Sequence, residues 1–439
     1  MNLVNGKTIS AAECDELLDS LGSRILETLA GPALDPAAVI EACHQLSLTL
    51  SVAEHQQVLI DLGISPQFAK EYILDAKVML SREYLTNKIE VELGPGHNLP
   101  HRLKPAFYDR KVIETIRPLG VLFHIAAGNS DGLPFFTVIE GLLTGNINIL
   151  KLPVEEGGLT VRILQELFAI DSRLAQYVYV FDYTSRDVEV IQRLADLADA
   201  VVVWGSDAAV KAVREMAEPN TKIIEWGHKM SFAYISGPVS EHAMEGIAHN
   251  ICKTNQLLCS SCQGIFIDTE SMEDVYEFCR HFVSVLSRVC RAYPSESGIG
   301  IRSQSGLRLY NESIEAVFNG ARIFRDDGCS LIAYQDSVLT PSIMFRNGWV
   351  RRLPKEQIVS TLRPYKNYLQ TVGLLCDESR AGALSELFWK TGAVRITDGY
   401  HMSNMYNGAA HDGEYPLRRY TKTVALELSS GGEETEKNQ

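Results

Sequence analysis

Positive charge is scarce in this chain, and long apolar runs, glycine-rich phosphate loops and paired cysteine knuckles are missing. The 41 Lys and Arg among 439 residues are outnumbered by 55 Asp and Glu, for a formal charge of −14. Nucleic acid and anionic membrane call for a positive field, so neither is expected as a partner; a local basic pocket for a phosphorylated ligand stays open. No run approaches the ~18 apolar residues of a membrane span. The opening MNLVNGKTISAAECDELL has no basic region followed by an apolar core, so no secretory leader is read and a cytoplasmic protein is expected. Nine cysteines, an odd number spread over a long chain, read as reduced thiols rather than a disulfide framework. Neither GxGxxG nor GxxxxGK[ST] occurs, so a sheet here that binds a dinucleotide does so without the usual glycine turn. There is no internal repeat.

What is present is ordinary in proportion: 46% hydrophobic and 22% charged residues, with length enough for two or three domains. Residues 1–88 read as helical, with apolar residues at three- and four-residue spacing in AAECDELLDSLGSRILETLA and SPQFAKEYILDAKVMLSREYL. A connector rich in Pro and Gly follows, from Glu90 to Arg110. From Lys111 short apolar runs alternate with amphipathic segments: GVLFHIAA, PFFTVIEGLLTG, INILKL, TVRILQELFA, YVYVFDY, VEVIQRLADLA, AVVVWGS, DAAVKAVREMA, KIIEWG. These are four strand–helix units and a further strand. Such runs imply a parallel sheet covered on both faces, in an α/β fold whose ligands bind beyond the carboxyl ends of the strands.

The expected division is an α/β domain over 89–240 with a β-segment near 110–118, a second αβ domain over 241–410, a return strand over 411–428 and a disordered polar tail over 429–439. RKVIETIRPLG and YTKTVALEL read as unaccompanied β-segments.

The stretch HNICKTNQLLCSSCQG, from His249 to Gly264, gathers Cys252, Cys259 and Cys262. By spacing alone it is open to four readings: a metal site with His249, a redox pair, a buried apolar cluster, or one nucleophile with two bystanders. A second knuckle, usual in structural zinc sites, is missing, so no metal is expected.

Read in order, GVLFHIAAGNSDGLPFFTVIEGLLTGNINILKLP, VVVWGSDAAV, KIIEWGHK and the cysteine loop resemble the aldehyde dehydrogenase superfamily. HIAAGNSDGLP, GHKMSFAYI, NQLLCSSCQ, LQTVG and HDGEYPL narrow the resemblance to the LuxC-type fatty acyl-CoA reductases. The landmarks run from about Lys111 to Leu428.

That resemblance implies an oxidoreductase that reduces a fatty acyl thioester to the aldehyde with NADPH, through an acyl group on Cys259, with Gln256 three residues before it. It implies Asn129 as oxyanion donor, Lys151 as contact to the adenosine ribose or its 2′-phosphate, and Glu155 near the ribose hydroxyls. Glu155 would repel a 2′-phosphate, so NADH stays open. Gly205 and Ser206 would hold pyrophosphate through backbone amides. Glu225 matches the glutamate that activates water in oxidising relatives; here its role as acid, base or bystander is open. His411 and Asp412 fall in the late motif and are candidates for a loop at the site. The family's second glutamate, which positions the nicotinamide ribose, has no counterpart around PSIMFRNGWVRRLP.

The substrate implied is acyl-CoA or an acyl carrier, with an acyl-synthetase or transferase as partner and a homo-oligomer as the assembled form. Two other readings are an aldehyde dehydrogenase forming acids with Glu225, and a zinc- or thiol-bearing binding protein without turnover.

Overall fold

A computed structural model describes residues 1–61, 66–96, 101–103, 107–126, 134–153, 158–293 and 299–428, the side chains of 299–302 excepted. Asn129, Glu155 and the tail lie outside these residues. The chain divides into two compact units, Met1–Gly227 with the segment from Asn407 onward, and His228–Tyr406.

In the first unit the apolar runs form the expected parallel strands: Val121–Ile125, Ile147–Lys151, Val178–Phe181, Ala200–Trp204 and Lys222–Trp226. Across the sheet they lie third, second, first, fourth, fifth in chain order. The order reverses between Val121–Ile125 and Ala200–Trp204, the switch point beyond which such sheets take ligands. Nearly every residue of the first four strands is buried, which is why they read as unbroken apolar runs rather than alternating ones.

Five helices, Ala11–Ala30, Pro36–Thr49, Val52–Asp61, Pro66–Met79 and Arg82–Leu93, occupy most of the region expected to be helical. Its first nine residues depart from that expectation. Asn2–Val4 and Lys7–Ile9 make a hairpin that joins the sheet antiparallel to Val178–Phe181. Asn5 and Gly6 both take positive φ (48° and 74°), the requirement of a two-residue turn that Asn-Gly meets at little cost.

A second correction concerns the two β-segments read as unaccompanied. Lys111–Pro118 pairs antiparallel with Thr421–Leu428 along their whole lengths, and His101–Leu103 adds a third strand. Each is the other's partner.

Polar groups inside this unit are tied together. Lys88 places its ammonium 2.6 Å from Glu92 and 2.9 Å from Glu140, all three being buried. Burial opposes the lysine charge, yet the two carboxylates outweigh it and raise its pKa. Removing one partner of such a buried set would leave uncompensated charge, at a cost of about 3–5 kcal/mol.

The second unit carries its own seven-stranded sheet, in the order Arg322–Asp326, Cys329–Ala333, Asn347–Arg352, Cys262–Ile267, Met230–Ser236, Leu369–Cys376, Arg395–Thr397. All neighbours are parallel except the hairpin at the first edge. Met230–Ser236, inside the GHKMSFAYI motif, is a fully buried strand that precedes the helix Glu241–Thr254. Gly264 lets the Trp349 indole lie flat on the sheet: a Cβ there would meet the ring at 2.0 Å.

Candidate active site

The helix Glu241–Thr254 starts on a Ser240 cap, whose Oγ accepts from the Ala243 amide at 3.2 Å. It ends where Asn255 and Gln256 turn left-handed, at φ 48° and 62°. The chain then passes through residues 257–261 into the strand Cys262–Ile267. Gln256, fully buried, braces this turn. Its Nε2 donates to the carbonyls of Cys262 (3.1 Å) and Gln263 (3.3 Å), and its own carbonyl accepts from Gln263 Nε2 at 2.9 Å. Gln263 Oε1 in turn accepts from the Ser342 hydroxyl at 2.8 Å. The Gln-x-x-Cys spacing is therefore a scaffold for the loop.

Cys259 sits half-buried in that turn, held from two adjoining strands. Its carbonyl accepts from Ser231 Oγ at 2.7 Å, and the same Oγ accepts from the Thr371 amide at 3.0 Å. Its sulfur accepts from Gln370 Nε2 at 3.2 Å. The pairing of Met230–Ser236 with Leu369–Cys376 slips between Met230 and Phe232, so Gln370 and Thr371 together face Ser231. A bulge of this kind breaks the ladder locally and re-aims side chains. Here it sets Gln370 against the Cys259 sulfur and Thr371 against the serine that holds the Cys259 carbonyl.

The other thiols of the loop go elsewhere. Cys252 Sγ lies 3.4 Å from Cys290 Sγ, and that hydrogen bond with burial raises its pKa. Cys262 donates to the Gly264 carbonyl at 3.2 Å, and burial pushes its thiol up to about 12. His249 Nδ1 lies 3.2 Å from the Tyr293 hydroxyl. Among the described residues no group of three or more His, Cys, Asp or Glu is arranged to hold a metal ion. A thiol far above neutrality is a poor nucleophile, which argues against Cys252 and Cys262 in that role.

The remaining described candidates belong to the first unit, at the carboxyl edge of its sheet. Lys151 ends its strand buried, and burial lowers its ammonium pKa against the opposing pull of Asp182 and Asp187. Gly205 turns at φ 158° after Trp204, and Ser206 caps the helix Asp207–Met216, its Oγ accepting from the Ala209 amide at 3.4 Å. The serine hydroxyl is thus committed to the cap, while backbone amides of the first turn point outward from the helix end. Glu225, next to last in its strand, is ion-paired with Arg214 of that helix.

His411 and Glu414 exchange backbone hydrogen bonds of 2.8 and 2.9 Å around Asp412 and Gly413, whose φ values of 50° and 82° make the turn. The His411 ring packs on Trp204 (5.2 Å) and Trp226 (4.9 Å), which themselves stack at 5.4 Å. The late motif therefore anchors to the ends of the fourth and fifth parallel strands.

Trp204, Trp226, Ser231 and Gln370 carry the geometry here without having been singled out in the sequence. Ser231 and Gln370 do lie within two of the quoted motifs, GHKMSFAYI and LQTVG, and that shared membership was the available signal. The bulge that brings them to one cysteine leaves no mark in composition.

Residues 54–423 match the sequence model of a family described as acyl-CoA reductase (LuxC). Among curated relatives, the long-chain acyl-protein thioester reductase of Vibrio harveyi is 26% identical over 379 residues, covering 83% of this chain and 76% of that one. The protein of the same description from Photobacterium phosphoreum is 25% identical over 381 residues, covering 83% and 74%. Among solved structures, lactaldehyde dehydrogenase from Escherichia coli superposes with a TM-score of 0.70 at 15% identity, covering 98% of this chain and 96% of that one. Aldehyde dehydrogenase 21 from Physcomitrella patens gives 0.71 at 12% identity, covering 99% and 95%. The expected aldehyde dehydrogenase-like α/β fold is the one observed. Among the described residues no helix is long and apolar enough to cross a membrane.

Proposed function

The chain belongs to the acyl-CoA reductase (LuxC) family, and from that premise we propose that it reduces a long-chain acyl thioester to the aldehyde through an acyl group carried on Cys259. The observation that carries this reading is the treatment of the three clustered thiols. Two are buried and hydrogen-bonded, Cys252 with Cys290 and Cys262 with the Gly264 carbonyl, while Cys259 is partly exposed and gripped at both its carbonyl and its sulfur.

The Cys259 thiolate attacks the acyl carbonyl, its new carbon–sulfur bond forms, the donor's carbon–sulfur bond breaks, and the donor leaves as thiolate with that electron pair. Asn129 is the proposed donor to the developing oxyanion. The fold and the family imply a nicotinamide cofactor, which when bound supplies the hydride that reduces the thioester carbon. The carbon–sulfur bond then breaks, the aldehyde departs and Cys259 returns as thiolate.

The first unit suits such a cofactor. The strand order reverses at a switch point, the Gly205–Ser206 turn leads into a helix N-terminus for pyrophosphate, and buried Lys151 is an electrostatic partner for a 2′-phosphate. Gly205 and Ser206 would act through backbone amides, since the Ser206 hydroxyl already caps the helix. We therefore propose NADPH as the preferred cofactor, with Glu155 as the residue that would favour NADH.

Glu225 argues against the oxidising alternative. Its carboxylate is engaged by Arg214, a poor starting point for a base that must activate water. His411 and Asp412 are proposed as a structural brace beneath the cofactor edge. The acyl donor is proposed to be coenzyme A or an acylated protein, the latter suggested by the relatives' description, with an acyl-synthetase or transferase supplying it.

Supplying palmitoyl-CoA and NADPH to the purified protein should yield hexadecanal, and Cys259→Ser should lose aldehyde formation by at least 100-fold while binding NADPH within about tenfold of the parent. Undiminished aldehyde from Cys259→Ser would remove the covalent route; fatty acid as the sole product would favour the oxidising reading.

A further inference from the structure

We propose that Gln370 is a catalytic residue of this site, its carboxamide N–H donating to the Cys259 sulfur and favouring the thiolate both as it attacks and as it leaves. This rests on Cys259 being the nucleophile. Gln370 is 1% exposed and stands second in the strand Leu369–Cys376, where backbone pairing fixes where its side chain begins. Its own carbonyl accepts from the Val394 amide at 3.1 Å, which ties it to the following strand. The contact to sulfur is 3.2 Å, within the range of an N–H to sulfur hydrogen bond.

The neighbouring residue strengthens the assignment. Thr371 donates its amide to Ser231, and Ser231 holds the Cys259 carbonyl. Residues 370 and 371 thus fix one cysteine at both ends, through the bulge that sets them against Ser231. A fixed sulfur and a fixed donor stay aligned through the reaction without reorganisation.

A carboxamide suits the task because it has no proton to lose or gain at working pH. Unlike a histidine or carboxylate it does not compete for the thiol proton; it only donates. A donor bonds an ionised acceptor more strongly than a neutral one, so it draws the thiol pKa down. In acylation the Cys259 thiol proton passes to solvent base, the thiolate forms the new carbon–sulfur bond, and the donor thiolate is expelled. Once the carbon has been reduced, the carbon–sulfur electron pair returns to Cys259, and the same N–H meets the charge again.

Gln370→Met and Gln370→Glu, in the full chain without added cofactor, test this. Alkylation of Cys259 by iodoacetamide is followed across pH by mass spectrometry of the Cys259 peptide, with acylation by palmitoyl-CoA measured beside it. Gln370→Met should raise the alkylation pKa by about one to two units and slow acylation at pH 7 by roughly ten- to a hundredfold. Gln370→Glu should raise the pKa at least as far, because a carboxylate beside the sulfur opposes a second negative charge. Should Gln370→Met fail to fold, Gln370→Glu, which keeps the native shape, decides alone. Equal alkylation pKa values in parent and folded variants would overturn the role. Failure of the underlying reading looks different: the parent itself would then carry no acyl group on Cys259.

Discussion

His124 lies fully buried in the first parallel strand, with Thr137 Oγ1 2.9 Å from its Nδ1 and Asn148 Oδ1 3.0 Å from its Nε2. Asn148 Nδ2 donates to the Asn146 carbonyl, so its Oδ1 faces the ring and accepts from the imidazole Nε2–H. Nδ1 then accepts from the Thr137 hydroxyl, and the histidine is neutral. Burial, opposed by the Asn148 bond, lowers its pKa from 6.5 to about 4. The folded value lies below the unfolded one, so this stability is fully present above pH 6.5 and is lost as pH falls from there toward 4. The amount is about 3 kcal/mol. Urea midpoints measured at pH 7 and pH 4.5 should therefore fall more steeply with acid in the parent than in His124→Gln. Parallel slopes would show that His124 is not the titrating group.

Lys151 admits an equally local prediction. Lys151→Ala should raise KM for NADPH more than for NADH, because only the former carries the 2′-phosphate. Equal increases would mean that Lys151 touches only what the two cofactors share. Residue identity alone marks Cys259 and Lys151 as candidates, because their proposed chemistry sits in one side chain. An arrangement made by two strands slipping past each other leaves no such mark. Nothing in MSFAYI or LQTVG announces that Ser231 faces both Gln370 and Thr371. Likewise Ser206 was legible as a turn residue, but not that its hydroxyl closes a helix cap.

Among the secondary-structure elements, long periodic segments were legible and short ones were not. The parallel strands follow from runs such as AVVVW because both of their faces are buried. The opening hairpin was lost in a helical reading because three-residue strands show no period, although Asn-Gly at its tip is a direct turn signal. Pairing partners were also hidden: RKVIETIRPLG and YTKTVALEL lie some three hundred residues apart in sequence and meet only in the fold. The outer strand, Thr421–Leu428, is exposed over nearly its whole length, with Val424, Leu426 and Leu428 on one side of it. An exposed edge carrying apolar side chains invites another strand. We propose that a second copy of the chain supplies it, in a homodimer or a dimer-based tetramer. Light scattering at micromolar concentration should give a multiple of the 48.7 kDa chain mass. A monomer mass would rule this assembly out.

For the molecule as a whole, the order of weak motifs was worth more than any one of them. Each of GNSDGLP, WGSD, the cysteine loop and HDGEYPL is a weak signal alone. Their sequence along the chain pointed to a family whose match spans residues 54–423. With a formal charge of −14 the chain presents no general positive field, so an anionic ligand would have to be met by local features such as the buried Lys151. One thiol among nine is proposed to take the acyl group. Incubating the protein with palmitoyl-CoA in the absence of any reductant, digesting it, and locating the palmitoyl adduct by mass spectrometry tests this. The expected result is one thioester-linked palmitoyl group per chain on the peptide containing Cys259, lost on hydroxylamine treatment and missing in Cys259→Ser, with Cys252→Ser and Cys262→Ser still acylated. A palmitoyl group found on Cys252 or Cys262, or free palmitate released at a steady rate with no adduct formed, would contradict it.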